Sequence, residues 1–223
     1  MRQVTGAVFA VVLLMSSLSW AAAPEPANDE QKTLYALGAA ISQSLTPFTL
    51  NESELEFVKA GLADGVLKRP QKVDLQVYGP KIQQMQQVRS NALADVEKKA
   101  GAAFLTKAAA EAGAKKTESG AIVTVIKEGK GATPKATDTV KVHYHGTLTD
   151  GTVFDSSVKR GEPATFPLNQ VIKCWTEAVQ LIKVGGKSKL VCPSGIAYGD
   201  RGSPPVIKPG ATLVFEVELL DIV

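Results

Sequence analysis

The spacing of apolar residues changes once along this chain, and that change limits what the chain can become. Up to about residue 112 apolar side chains recur every three or four positions, the mark of amphipathic helices. From about Lys115 they alternate with polar ones, the mark of half-buried strands. Three helices are predicted before the switch. Leu34, Leu37, Ile41 and Leu45 line one stripe, which Pro47 ends. Leu55, Val58, Leu62 and Val66 line a second, with Asn51 or Ser53 as its cap and acidic residues in its first turn. Ile82, Met85, Val88, Ala92, Val96 and Ala100 line a third, extended by Phe104, Leu105 and Ala108. This last helix is predicted from Pro80, which either starts or kinks it, to Ala112, with Gly113 as its stop. It would be about 33 residues long, or roughly 50 Å.

A helix that long with a narrow apolar stripe cannot bury itself in a small domain of its own. It is expected to be a stalk between two domains or to be covered by a partner chain. The two shorter helices would make only a thin core alone. A two-fold homodimer, the commonest oligomer, would complete that core.

After the switch, "GAIVTVIKEG", "TVKVHYHGTL", "VGGKSKLVCP" and "ATLVFEVELLDIV" read as strands, and "VIKCWTEAVQLI", which follows "ATFPL", as a short helix. Asp150-Gly151 is a turn. Several strands with one short helix predict an α+β domain, an antiparallel sheet wrapped on a helix. The expected organisation is therefore an all-α dimerisation module with a connecting helix over residues 22–114 and the α+β domain over 115–223.

Residues 1–21 are read as a signal peptide. Arg2 precedes the apolar run "AVFAVVLLM" and the small-residue stretch "SSLSWAAA". The alternative, a membrane anchor, needs about 20 apolar residues, more than this run has. Ser19 and Ala21 place the cut after Ala21. No cysteine lies near it, so no lipid anchor is expected. The mature protein is expected in the periplasm, with outer-membrane association or secretion as further possibilities. A net charge of +3 without a basic run speaks against nucleic acid as a partner. Export makes a disulfide available to Cys174 and Cys192, the only two cysteines. Their spacing is not that of a Cys-x-x-Cys redox motif, and without clustered histidines they make a poor zinc site. One structural disulfide is expected; two buried free thiols are the alternative.

The segment "VKVHYHGTLTDGTVFDSS" looks catalytic, with histidines, a tyrosine and aspartates close together, yet it holds no nucleophile–base arrangement. His143 and His145 share one strand face, opposite Tyr144, and lack a third metal ligand nearby, so no metal is expected. "GGK" at Gly185–Lys187 lacks the spacing of a phosphate loop. No cofactor is implied.

In order, "HYHGTLTDGTVFDSS", "VIKCWTEAV", "VGGKSKLVCPSGIAYGDRG" and "KPGATLVFEVELLDI" resemble the FKBP-type peptidyl-prolyl cis-trans isomerases, a resemblance that spans Lys115 to Val223. The N-terminal half, through pieces such as "YALG" and "GAAFL", is similar to their exported Mip-like and FkpA-like subgroup. The resemblance implies an apolar pocket built by Tyr144, Phe154, Asp155, Ile172, Trp175, Tyr198 and Phe215 as catalytic residues. Val171, Val206 and Ile207 would border the substrate, and Arg160 would pair with Asp155. Ala164 stands where many members carry a pocket aromatic, Ser203 where some carry histidine, and Cys174 where glycine is common. The implied partners are proline-containing unfolded or extended polypeptides and macrolide-type inhibitors. Rotation about an X–Pro amide breaks no bond; it faces a barrier of about 18–20 kcal/mol from lost resonance. A pocket that binds the twisted amide better than the planar one is sufficient, which explains an active site without a triad. The competing expectation is a non-catalytic chaperone or partner-binding module of virulence type, whose helical arms cradle non-native chains.

Overall fold

The computed structural model describes residues 25–223, so the signal-peptide reading of residues 1–21 lies outside the described residues. The chain forms two compact units, one ending at Ala39 and one spanning Ala40–Val223. Helix α1 (Asp29–Leu45) begins with Asp29 and Glu30, whose charges suit the positive end of the helix dipole. Its Leu34, Leu37 and Ile41 are exposed in the single chain.

In the larger unit a 3-10 turn (Thr46–Phe48) precedes α2 (Glu52–Val66). Of the two caps the sequence offered, Asn51 is used. Its side chain accepts the Glu54 N–H at 3.0 Å while the Glu54 carboxylate accepts the Asn51 N–H at 3.0 Å. Helix α3 runs Leu75–Ala109, 35 residues, and not from Pro80 to Ala112 as its proline and glycine suggested. The start belongs to Asp74, whose carboxylate accepts the Gln76 N–H at 2.8 Å. Pro80 lies inside the helix, so it does not begin it; its ring removes one backbone donor there. Arg89 on α3 donates to the Phe48 carbonyl at 2.7 Å and to Glu54 at 2.5 Å and 3.0 Å, joining turn, α2 and α3.

The rest of the chain is a seven-stranded antiparallel sheet: β1 (Lys115–Lys116), β2 (Ile122–Lys127), β3 (Thr139–Leu148), β4 (Val153–Ser156), β5 (Ala164–Pro167), β6 (Lys187–Cys192) and β7 (Leu213–Ile222). The order is β1-β2-β6-β7-β3-β4, with β5 pairing along β3. The alternation read from sequence holds in β3, where Val140, Val142, Tyr144 and Leu148 are buried. They join Leu190, Leu213, Val217 and Leu219 in one core. Two short helices complete the domain: α4 (Ser157–Arg160) follows β4, and α5 (Lys173–Ala178) packs Cys174, Trp175 and Ala178 into that core. The fold is α+β, an antiparallel sheet wrapped on a short helix, after a helical region with a long helix.

Cys174 and Cys192 form a disulfide, with Cα atoms 5.8 Å apart, so α5 is tied covalently to β6. The second half of α3 lies on the sheet: Ala108, Ile122 and Val191 form a buried cluster with Phe104, Leu105 and Val214 against it. No helix among the described residues is long and apolar enough to cross a membrane.

The disulfide closes a loop of 18 residues. Replacing both cysteines by alanine is expected to lower the unfolding free energy by about 3 kcal/mol on the loop-entropy account. Chemical denaturation of the two forms checks this; equal midpoints would mean the bond adds no stability.

Candidate active site

Strand β3, the β4–α4 corner and α5 bring one cavity together. It measures about 300 Å³ and is lined by Tyr144, Phe154, Asp155, Phe166, Gln170, Val171, Ile172, Trp175, Tyr198 and Phe215. Trp175 is 4% exposed and meets three rings edge to face. The centroids of Tyr144, Phe215 and Phe166 lie 5.3 Å, 5.3 Å and 5.8 Å from it. Phe154 stands against Phe215 at 5.4 Å and 87°. Edge-to-face contacts of this kind are the favoured geometry between aromatic quadrupoles. The indole Nε1 is buried and has no hydrogen-bond partner among the described residues.

The polar edge is a triad of another sort. The Tyr144 hydroxyl donates a short hydrogen bond to Asp155. Arg160 pairs with Asp155 and donates to the Tyr144 hydroxyl at 3.0 Å, its guanidinium 5.6 Å from the Tyr144 ring centre. Burial pushes the Asp155 carboxyl up, but the hydrogen bonds from Tyr144 and Arg160 outweigh it, and its pKa lies below the usual value. Burial first, and then the bond to Asp155, push the Tyr144 phenol up. At neutral pH the site therefore holds a carboxylate and a protonated phenol, with the guanidinium balancing the charge.

The "DSS" of the opening motif divides three tasks. Asp155 lines the cavity. Ser156 caps α4 by accepting the Lys159 N–H at 3.2 Å, and that helix ends on Arg160. Ser157 is buried and accepts the Tyr144 N–H at 2.7 Å, bracing β3. His143 and His145 each meet a serine hydroxyl, at 3.2 Å and 3.0 Å, rather than one another's ligand. Among the described residues no group of His, Cys, Asp and Glu is placed to hold a metal.

Eight of the expected residues line the cavity: Tyr144, Phe154, Asp155, Val171, Ile172, Trp175, Tyr198 and Phe215. Arg160 sits at its edge through Asp155. Val206 and Ile207 do not line it; Ile207 faces a separate hollow of about 640 Å³ beside α3, and Val206 is exposed. Phe166 and Gln170 were missed. Phe166 shares a strand face with Ala164, two positions away, so the period of two in "ATFPL" pointed to it. It supplies the ring that Ala164 lacks; Ala164 packs on the core instead.

No serine, cysteine or histidine lines this slot, and its one charge is already paired. A slot walled by rings and edged by a paired carboxylate defines a class of protein that binds apolar groups. Comparison with known proteins makes the class specific. Residues 130–220 match the family model for FKBP-type peptidyl-prolyl cis-trans isomerase, and residues 30–124 match the domain amino terminal to it. The FKBP-type peptidyl-prolyl cis-trans isomerase FkpA of Aeromonas hydrophila is 45% identical over 210 residues, covering 89% of this chain and 78% of that protein. The FKBP-type 22 kDa isomerase of Escherichia coli K12 is 43% identical over 197 residues, 86% of this chain and 95% of that protein. The crystal structure of FkpA from Escherichia coli superposes with a TM-score of 0.65 at 39% identity, covering 87% of this chain and 97% of that one. The chain belongs to the FKBP-type peptidyl-prolyl cis-trans isomerases, in their FkpA-like group.

Two outcomes follow from the geometry. A Cβ at Gly146 would lie 2.7 Å from Cζ of Phe154 and 3.1 Å from Phe215, so Gly146→Ala must displace the Phe154 ring. About a tenfold drop in kcat/KM is expected, with the fold retained by circular dichroism. The second concerns pH. Because the folded-state pKa of Asp155 is depressed, the charge network is intact above the ordinary aspartate value of about 3.9 and is lost only as pH falls through the lower folded value. Isomerisation rates should be flat from neutral pH down to about 5 and decline only in stronger acid; a midpoint above that range contradicts the network.

Proposed function

We propose that this cavity is the reaction site of the isomerase, and that it accelerates folding of exported, proline-containing chains by favouring the twisted X–Pro amide. One observation carries the reading: a ring-walled slot whose only charge is neutralised at its edge. The twisted amide has less charge separation than the planar one, so an apolar slot favours it over the better-solvated ground state. Trp175 is the floor for the pyrrolidine ring, with Phe154, Phe166 and Phe215 as walls. The Ile172 N–H, at the start of α5, and the Tyr198 hydroxyl hold substrate carbonyls. Asp155, fixed by Tyr144 and Arg160, orients the site. A leucine or other apolar residue before proline suits the subsite between Phe154 and Tyr198, and macrolide-type inhibitors would occupy the same slot. Trp175→Leu should lower kcat/KM on a Leu-Pro peptide by about tenfold or more. Unchanged rates would remove the cavity from the reaction.

The N-terminal sequence supports export to the periplasm, with a helical module through residue 114 ahead of the isomerase domain. Paired copies of that module complete its core. Leu34, Leu37, Ile41, Leu55, Leu62 and Val66 are all exposed in the single chain, and Phe57 is 82% exposed. Burying each such side chain is worth about 1.5–3 kcal/mol, a strong drive to a second copy. Light scattering at micromolar concentration tests this, and a mass near one chain rejects it. The same arms favour a second reading, a chaperone that holds non-native chains. Replacing Asp155 and Tyr198 by apolar residues of similar size separates the two. Suppression of aggregation that survives the loss of isomerisation would assign holding to the helical module.

A further inference from the structure

The loop from Tyr198 to Ala211 brings one residue, Tyr198, to the cavity. Tyr198 lines the cavity yet is 42% exposed, and only Ile207, Pro209, Gly210 and Ala211 of the loop are buried. Within the loop, Ser203 and Ile207 exchange backbone hydrogen bonds at 2.8 Å and 3.0 Å, and the Gly210 N–H donates to the Gly199 carbonyl at 3.0 Å. Those bonds tie the loop to itself. Ile207 and Ala211 join it to the domain core, and helix α3 holds it as well.

The contact is made by one helix face. Ala94, Glu97, Lys98 and Gly101 follow the three- and four-residue steps that place side chains on the same side. Lys98 pairs with Asp200 at 2.6 Å, and Glu97 pairs with Lys208 at 3.1 Å. The buried positions of the helix are Ala94, Gly101 and Ala108, all small and spaced by two turns. Their size lets the backbones approach. A Cβ at Gly210 would lie 2.4 Å from the Ala94 carbonyl oxygen, and one at Gly101 would lie 2.1 Å from Thr212 Oγ1. Gly210 also has φ +75°, a conformation that glycine adopts without strain. Two ion pairs of crossed polarity and two glycine seats thus fix the loop's register on the helix.

We propose that α3 is a positioning element of the active site, with Ala94, Glu97, Lys98 and Gly101 holding the Tyr198 loop at the depth the substrate needs. None of the four touches the cavity; they act through the loop. This rests on the reading that the cavity is the reaction site. It makes the isomerase rate on a peptide too short to reach the helical module depend on that module's long helix.

The test uses the full-length chain and a short Leu-Pro peptide. Glu97→Lys with Lys98→Glu reverses the helix side, Asp200→Lys with Lys208→Glu reverses the loop side, and each pair leaves net charge unchanged. Either reversal alone is expected to lower kcat/KM about threefold, while the fourfold variant restores both pairings and recovers the rate. A role in general stability would give no such recovery in kcat/KM at unchanged melting temperature. Ala94→Gln, which wedges the buried seat, is expected to lower kcat/KM about tenfold. Single reversals that leave kcat/KM unchanged, or a fourfold variant that folds but does not recover, overturn the proposal. Trp175→Leu run alongside separates the two readings. If it abolishes activity while the reversals do nothing, the coupling alone fails. If it is as active as the parent, the site reading beneath it fails.

Discussion

Helix α5 is six residues long, too short to be stable by its own hydrogen bonds, yet it carries the ring on which the other aromatics lean. Everything that holds Trp175 in place is therefore tertiary. Cys174, beside it, is bonded to β6. Thr176, on its other side, donates its hydroxyl to the carbonyl of Leu168, itself fully buried, at 2.6 Å. With both flanks fixed, the indole becomes a surface that Tyr144, Phe166 and Phe215 can pack against, and their spacing leaves the slot open. A cysteine where the family often has glycine fits this logic, because it adds a covalent anchor next to the floor without changing the floor itself.

An apolar slot with a carboxylate on its lip raises a conflict, since burial disfavours the charge and the charge disfavours apolar contents. The conflict is met locally. Arg160 is delivered by a helix of four residues that exists because Ser156 caps its start and Gly161, at φ +79°, ends it. The guanidinium then balances the carboxylate while the phenol of Tyr144 takes the remaining acceptor. What is left facing the cavity is a fixed dipole rather than a free charge. A fixed dipole can orient a substrate amide without solvating its planar form.

The sheet was legible because strand residues follow a period of two, whereas the slot residues were implied by the family resemblance. Read from alternation alone, Tyr144, Phe154 and Phe215 are core aromatics. Phe166 lies two positions from Ala164 on the same strand, so a period of two puts its ring on the face of that alanine. The helix start was misread because proline is a common first residue, and Asp74, an ordinary cap, carries no such flag. Val206 and Ile207 lie outside the cavity lining for a deeper reason. They lie on a loop whose course is set by a helix more than a hundred residues earlier in the chain, and no local pattern records that contact.

Helix α3 changes chemistry along its length. In its first half Ile82, Met85 and Val88 are large, apolar and exposed, which suits them to cover a neighbour. In its second half the inward positions shrink to alanine and glycine, which suits close approach of backbones and a fixed register. Large side chains tolerate small shifts by repacking, whereas a glycine seat set against backbone atoms does not. The same helix is thus suited to repack at one end and to hold a fixed register at the other. A stalk built from uniform leucine heptads would bury more area in its second half but could not bring the Gly210 backbone and the Thr212 side chain so close.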